Sequence, residues 1–224
     1  MTYFLGINAL IVSSLGTGNN SYGYWPGKLR QMSIESCQTV ALEGGPGVGK
    51  TTTALALTAV LKCMLPQVEY CDGGAWRNAF AESLAVRDTL LSMTIELHRF
   101  TAIIADQISA ARFNQLLVCD KTPASVLANC RLLLKDGLPP EGDRLLHVMT
   151  ALFGEWARSY DRVFILRDSH TFETEDHIHT GISGLPDIVG DEILAVFDEF
   201  GVDAIQVPRG MSLQERVNWI AGRI

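Results

Sequence analysis

The stretch Leu42-Glu43-Gly44-Gly45-Pro46-Gly47-Val48-Gly49-Lys50-Thr51-Thr52 decides how the rest of the chain is read. From Gly44 to Thr51 it fits G-x-x-x-x-G-K-[ST], the phosphate-binding P-loop. That pattern carries weight only in context. Here an apolar strand, Thr39-Val40-Ala41-Leu42, feeds it, and an amphipathic helix from Thr51 to about Lys62 leaves it. The glycines let the backbone wrap so that consecutive N–H groups point inward. They do so at a helix N-terminus, where the dipole also favours an anion. Gly44, Gly45, Gly47, Val48, Gly49, Lys50, Thr51 and Thr52 are therefore the expected nucleotide-binding residues. Lys50 is expected to reach the β- and γ-phosphates and the Thr51 hydroxyl to sit on Mg²⁺. The bland alternative is a Gly-rich turn before a helix, and the flanking strand and helix weigh against it. The sequence reads as an ATP- or GTP-binding chain.

Working outward, 224 residues allow one domain, or one domain with a lid, around a sizeable core. Hydrophobic residues at 47% and charged residues at 19% are an ordinary globular balance. The net charge of −7, from 18 basic and 25 acidic residues, disfavours an extended nucleic-acid partner, which needs a broad positive field. Five cysteines, Cys37, Cys63, Cys71, Cys119 and Cys130, are odd in number and form no C-x-x-C pair. They imply a reducing, cytoplasmic compartment and no zinc site. No apolar stretch reaches the length of a membrane span. Residues 1–31 stand apart. Phe4 to Leu15 is apolar without a preceding Lys or Arg, unlike a secretory signal. The glycine- and tyrosine-rich run that follows reads as loop. These residues are expected to be a dispensable extension, or to follow an upstream start codon, ahead of a domain spanning 32–224.

Strand and helix signals alternate along that domain. Val68 to Cys71 reads as a second strand ahead of the turn Asp72-Gly73-Gly74. Met93, Leu97, Phe100, Ile104 and Ile108 mark one face of a helix from about Leu90 to Arg112. Leu116 to Cys119 is an apolar strand ending in Asp120, and Thr122-Pro123 opens another helix. Further helices are expected at about 142–160, 188–200 and 212–223, with strands at 163–166 and 204–207. This order predicts an α/β three-layer sandwich on a parallel sheet of roughly five strands. The polar, glycine-punctuated segment of about 168–186 reads as a mobile lid. Its His170, His177 and His179, among acids, have irregular spacing, so a closing lid is preferred to a metal site.

Several side chains are candidates for chemistry. Asp120 ends a buried strand at the sheet edge where ligands bind, so it is expected to hold Mg²⁺ while Lys121 grips a phosphate. The alternative is a solvated strand-end pair. Glu69 and Asp72 are expected on the other rim of the same cleft, either as a general base for a hydroxyl or only as turn residues. Arg99 and Gln107 lie on neighbouring stripes of the long helix and are expected to face one pocket, although solvent-facing positions are equally in keeping with the pattern. Arg77 is a further cation for an acceptor phosphate.

The stretch VALEGGPGVGKTTTALAL, with the later long helix, apolar strand and Asp120-Lys121, resembles thymidylate kinases. The second half resembles the AAA-type P-loop kinases that include the ribosylnicotinamide kinase domain of bacterial NAD-biosynthesis regulators. Asp120 to Ala128, Asp161 to Leu166, Phe172-Glu173 with Asp176, and Leu213 to Val217 carry that likeness. The resemblance covers about 33–224 and implies that Lys50 and Thr51 handle ATP and Mg²⁺. It also implies that Asp120 sits at the metal or acceptor and that Glu69 faces the acceptor. Two positions depart from the pattern. Lys121 stands where those enzymes show Arg and lacks its bidentate fork, and His179 falls where the lids present an Arg.

The expected activity is ATP- and Mg²⁺-dependent phosphoryl transfer to a nucleoside or nucleoside monophosphate, with a thymidylate-like acceptor favoured. The expected partner is that small molecule, and a homodimer is left open. Two rivals remain, a P-loop ATPase or switch acting through a protein partner and a kinase acting on DNA bases or ends.

Overall fold

The computed structural model describes residues 37–73, 89–133, 140–168 and 184–224. The expected extension 1–31, Arg77, and all but the two ends of the expected lid lie outside the described residues. In chain order the elements are β1 (Gln38–Glu43), α1 (Lys50–Lys62), β2 (Val68–Asp72), α2 (Thr89–Ala111), β3 (Leu116–Asp120) and α3 (Pro123–Leu133). They continue with α4 (Pro140–Trp156), a 3₁₀ turn at Ala157–Ser159, β4 (Arg162–Ile165), α5 (Leu185–Glu199), β5 (Ala204–Gln206) and α6 (Leu213–Ala221).

The five strands form one sheet in the order β2-β3-β1-β4-β5. Every pairing is parallel. Apolar runs such as Leu116-Leu117-Val118-Cys119 suit a strand covered on both faces, and successive residues turn to opposite sides. Val40, Leu42, Leu116, Val118 and Phe164 pack on one side with Ala54, Leu57 and Leu61 of α1 and with Val217 and Ile220 of α6. Ala41, Leu117, Cys119, Val163 and Ile165 pack on the other with residues of α2 to α5, among them Phe100, Leu127, Met149 and Ile193. The architecture is the expected three-layer α/β sandwich.

Two local devices set the positions that matter for the site. Thr122 caps α3, its Oγ1 accepting from the Ala124 amide at 3.1 Å, with Pro123 as first residue where a missing N–H costs nothing. Ser212 and Glu215 form a reciprocal capping box at the start of α6, which fixes how that helix enters against α1. The central strand β1 has β3 on one side and β4 on the other. Chain direction across the sheet reverses there, so the crevice beyond the carboxyl ends of these strands is where such a sheet receives a ligand.

Candidate active site

The loop between β1 and α1 occupies that crevice. Its turns need positive φ at Gly44 (138°), Gly47 (75°) and Gly49 (80°). At Gly45 the constraint is space, because a Cβ there would lie 2.2 Å from the Pro186 carbonyl oxygen and 2.4 Å from its Cα. The loop is thus braced by the start of α5. Lys50 is buried and its Nζ donates to the Gly45 carbonyl at 2.6 Å, folding the ammonium back over the loop. Burial first, and then the nearby Lys121 charge, push its pKa down to about 8.

Asp120 meets this loop from β3. Strand alternation puts Leu116, Val118 and Asp120 on the α1 side, so the carboxylate faces the first turn of α1. Its Oδ2 accepts from Thr51 Oγ1 at 2.5 Å and from the Tyr70 hydroxyl at 3.1 Å. Its Oδ1 is buried with no hydrogen-bond partner among the described residues. A hydroxyl and a carboxylate oxygen in want of a partner, beside a phosphate-binding loop, are the hard oxygen donors that Mg²⁺ takes along with substrate phosphates. The residues present fit that ion.

On the neighbouring strand Asp72 is the register partner of Asp120, and unlike it is exposed. The two strand ends approach so closely at Gly73 that a Cβ there would lie 1.8 Å from the Asp120 carbonyl oxygen and 2.6 Å from Lys121 Cβ. Lys121 itself has a φ of 90°, a left-handed conformation that costs a side-chain-bearing residue ~1–2 kcal/mol. Its amide donates to the Leu42 carbonyl at 3.1 Å. Burial, followed by the charge of Arg99, lowers the pKa of its ammonium.

One expected position needs correction, and two others prove to be buried. Glu69 does not sit on the cleft rim. It pairs in register with Leu117, three residues before the end of β2, and lies 3.7 Å from Lys62, half exposed like its partner. Lys62 ends the 13-residue helix that Lys50 begins, so the pair is ~18 Å of helical rise away from the loop. Gln107 is buried, not solvent-facing, and its amide is committed to the protein. Its Oε1 accepts from Trp156 Nε1 at 3.0 Å and from the Tyr160 hydroxyl at 2.8 Å. Its Nε2 donates to the Lys121 carbonyl at 3.4 Å. Arg99 is also buried, and one of its terminal nitrogens donates to both carboxylate oxygens of Glu96, at 2.9 and 2.8 Å. Both side chains do converge on Lys121, one by hydrogen bond and one through its field.

Sequence reasoning missed Glu43. It is fully buried at the end of β1, and its Oε1 accepts from the Thr122 amide at 2.5 Å and the Thr122 hydroxyl at 2.7 Å. Its Oε2 is buried with no hydrogen-bond partner among the described residues. Burial pushes its pKa up to about 7, against the opposing pull of the Thr122 hydroxyl and of Lys50. The signal was present in the sequence, as a lone carboxylate between an apolar strand and the first glycine of the loop.

A parallel sheet with this strand order, a P-loop after the central strand and an aspartate facing the loop threonine define a P-loop α/β domain. The sequence from 39 to 216 matches the family of AAA domains, and the chain belongs to that family. Among solved structures, NadR in complex with NR superposes with a TM-score of 0.62 at 15% identity, over 84% of this chain and 51% of that one. This chain therefore spans about half the length of NadR. Deoxyadenosine kinase from M. mycoides with bound dATP gives a TM-score of 0.59 at 12% identity, over 83% of this chain and 98% of the kinase. The same kinase with dCMP and dCDP gives 0.55 at 12% identity. No curated protein sequence matches the chain significantly. Among the described residues no helix is long and apolar enough to cross a membrane.

Proposed function

We propose that the chain is a cytoplasmic ATP- and Mg²⁺-dependent kinase that phosphorylates the hydroxyl group of a nucleoside. The observation that carries this reading is the pairing of Asp72 with Asp120 in register at the carboxyl ends of adjacent strands, one exposed and one facing the loop. In it, the amides of 44–51 and Lys50 hold the triphosphate. Thr51 and Asp120 would hold Mg²⁺, which would offset the negative charge of the triphosphate. Asp72 accepts the proton of the substrate hydroxyl as its oxygen bonds to the γ-phosphorus and the bond to the bridging oxygen of ADP breaks. Lys121, set beside both aspartates, holds the acceptor or the transferred group. Most of the work is positioning and charge neutralisation.

The charges on that side bear on the acceptor. A monophosphate arrives as an anion and needs unspent cations, whereas a hydroxyl needs a base. The guanidinium of Arg99 is matched by Glu96, and the exposed carboxylate of Asp72 would repel a phosphate. A thymidylate-like acceptor therefore takes second place to a nucleoside. The likeness in fold to NadR bound to NR and to a deoxyadenosine kinase is in keeping with this choice.

ADP release with Mg-ATP across nucleosides and nucleoside monophosphates tests the reading. Stimulation by nucleosides, absent in Lys50→Ala, is the expected result. A flat panel with ATP bound would overturn it in favour of a switch, and stimulation by monophosphates alone would overturn the acceptor assignment.

A further inference from the structure

Arg216 belongs to α6, far along the chain from the P-loop, and is almost fully buried beneath it. Its Nη1 donates to the Val48 carbonyl at 3.2 Å and to Thr53 Oγ1 at 3.3 Å. The Thr53 hydroxyl in turn donates to the Gly49 carbonyl at 2.8 Å. Nη2 donates to Asp168 Oδ2 at 3.1 Å. Both carboxylate oxygens of Asp168 also accept from the Gly210 amide, at 3.0 and 3.1 Å. The guanidinium is therefore fixed at three points, and the Val48 carbonyl is drawn outward to it, whereas the Gly49 carbonyl also accepts from the Thr53 amide at 2.9 Å as the first bond of α1.

A trans peptide is planar, with its C=O and N–H pointing in opposite directions. The peptide group between Val48 and Gly49 is trans. Drawing the Val48 carbonyl outward thus turns the Gly49 N–H the other way, to the loop's inner side. It is one of the donors at the start of α1 that the helix itself leaves unpaired. A cation on the carbonyl oxygen also polarises the peptide and strengthens its N–H as a donor. Charge and geometry act in the same sense.

We infer that Arg216 is a positioning residue for nucleotide phosphates, aiming the Gly49 amide through the peptide group it holds from outside. The inference rests on the reading of 44–51 as a nucleotide-binding loop. It adds a dependence on a residue of the last helix that no P-loop pattern contains. Arg is required because one group must reach a carbonyl, a hydroxyl and a carboxylate at once, which the single ammonium of Lys does not.

The test measures binding of ATP and of inorganic tripolyphosphate to the full chain by calorimetry, well below the melting temperature of each variant. Lys50→Ala is run as the control for the loop itself. Arg216→Lys keeps a positive charge beside Asp168 and is expected to weaken both ligands by about tenfold, the scale of a charged hydrogen bond lost. Equal loss for the two ligands places the defect at the phosphates. Wild-type affinity in folded Arg216→Lys overturns the inference, even where the melting temperature falls, because a purely structural role predicts that split. Should Arg216→Lys fail to fold, Thr53→Val decides, since it removes one of the three groups that fix the guanidinium without stranding a charge. A loss of about threefold supports the inference and an unchanged affinity overturns it. A wild-type chain that binds neither ligand removes the nucleotide-loop reading itself. Loss of binding in Lys50→Ala alone removes only the role of Arg216.

Discussion

Asp72 and Asp120 are register partners on adjacent parallel strands, yet their carboxylates have opposite surroundings. Asp120 is almost fully buried and accepts from Thr51 and Tyr70, while Asp72 is exposed at the mouth of the same crevice. Two equal side chains one strand apart are thereby suited to two tasks, holding a metal and receiving a proton. Asp72→Asn is expected to lower kcat for a nucleoside by about 10²–10⁴-fold, the usual scale of general-base catalysis, with ATP affinity retained. Asp120→Asn is expected to weaken the response to Mg²⁺ as well. Steady-state kinetics with ATP and Mg²⁺ varied separately checks both, and equal behaviour of the two variants would contradict the division of roles.

Gln107 holds Trp156 of α4, the Tyr160 hydroxyl beyond it and the backbone of Lys121 together. Gln107→Leu leaves buried donors without their acceptor and is expected to cost about 1–3 kcal/mol of stability. Chemical denaturation measures that loss. The KM for the acceptor is expected to stay near that of wild type, which a substrate-binding glutamine would not allow.

The buried carboxyl of Glu43 makes stability depend on pH. Its folded pKa of about 7 lies above the ordinary value of 4.5, so between these limits the folded state keeps a proton that the unfolded chain has released. Stability from this group is full below the lower limit and is lost as pH rises through the upper one. Glu43→Gln can still accept from Thr122 but does not titrate. Unfolding free energies measured at intervals over this range are expected to fall with pH in wild type and to fall less in the variant.

Lys50 gives a second pH dependence. Burial holds its folded pKa down to about 8, so the free protein loses this charge within the mildly alkaline range. ATP affinity is expected to decline above that pH more steeply than in Lys50→Arg, which stays charged. Binding isotherms on either side of pH 8 compare the two.

The P-loop, the strand and helix order and the Asp120 strand end were legible in the sequence because each is a local pattern. Apolar runs, helical spacing and turn residues specify them without reference to distant parts of the chain. What could not be read locally was the partner of each polar side chain. Glu69 and Asp72 are three residues apart on one strand, and only the sheet register shows that Asp72 alone meets Asp120. Arg99 read as an available cation because the burial that commits it to Glu96, one helical turn away, is not visible in the local pattern. Glu43 sat beside the motif and was passed over as part of the strand. Arg216 carried no local signal, since its contacts lie 163 and 168 residues away in the chain.

The measurement that bears most directly on the central claim is the mass of the product formed from Mg-ATP and a mixture of nucleosides, with Lys50→Ala as the blank. The account predicts a nucleoside carrying one added phosphoryl group, formed in step with ADP and absent from the blank. ATP bound and hydrolysed to free phosphate, with every nucleoside unchanged in mass, would contradict it.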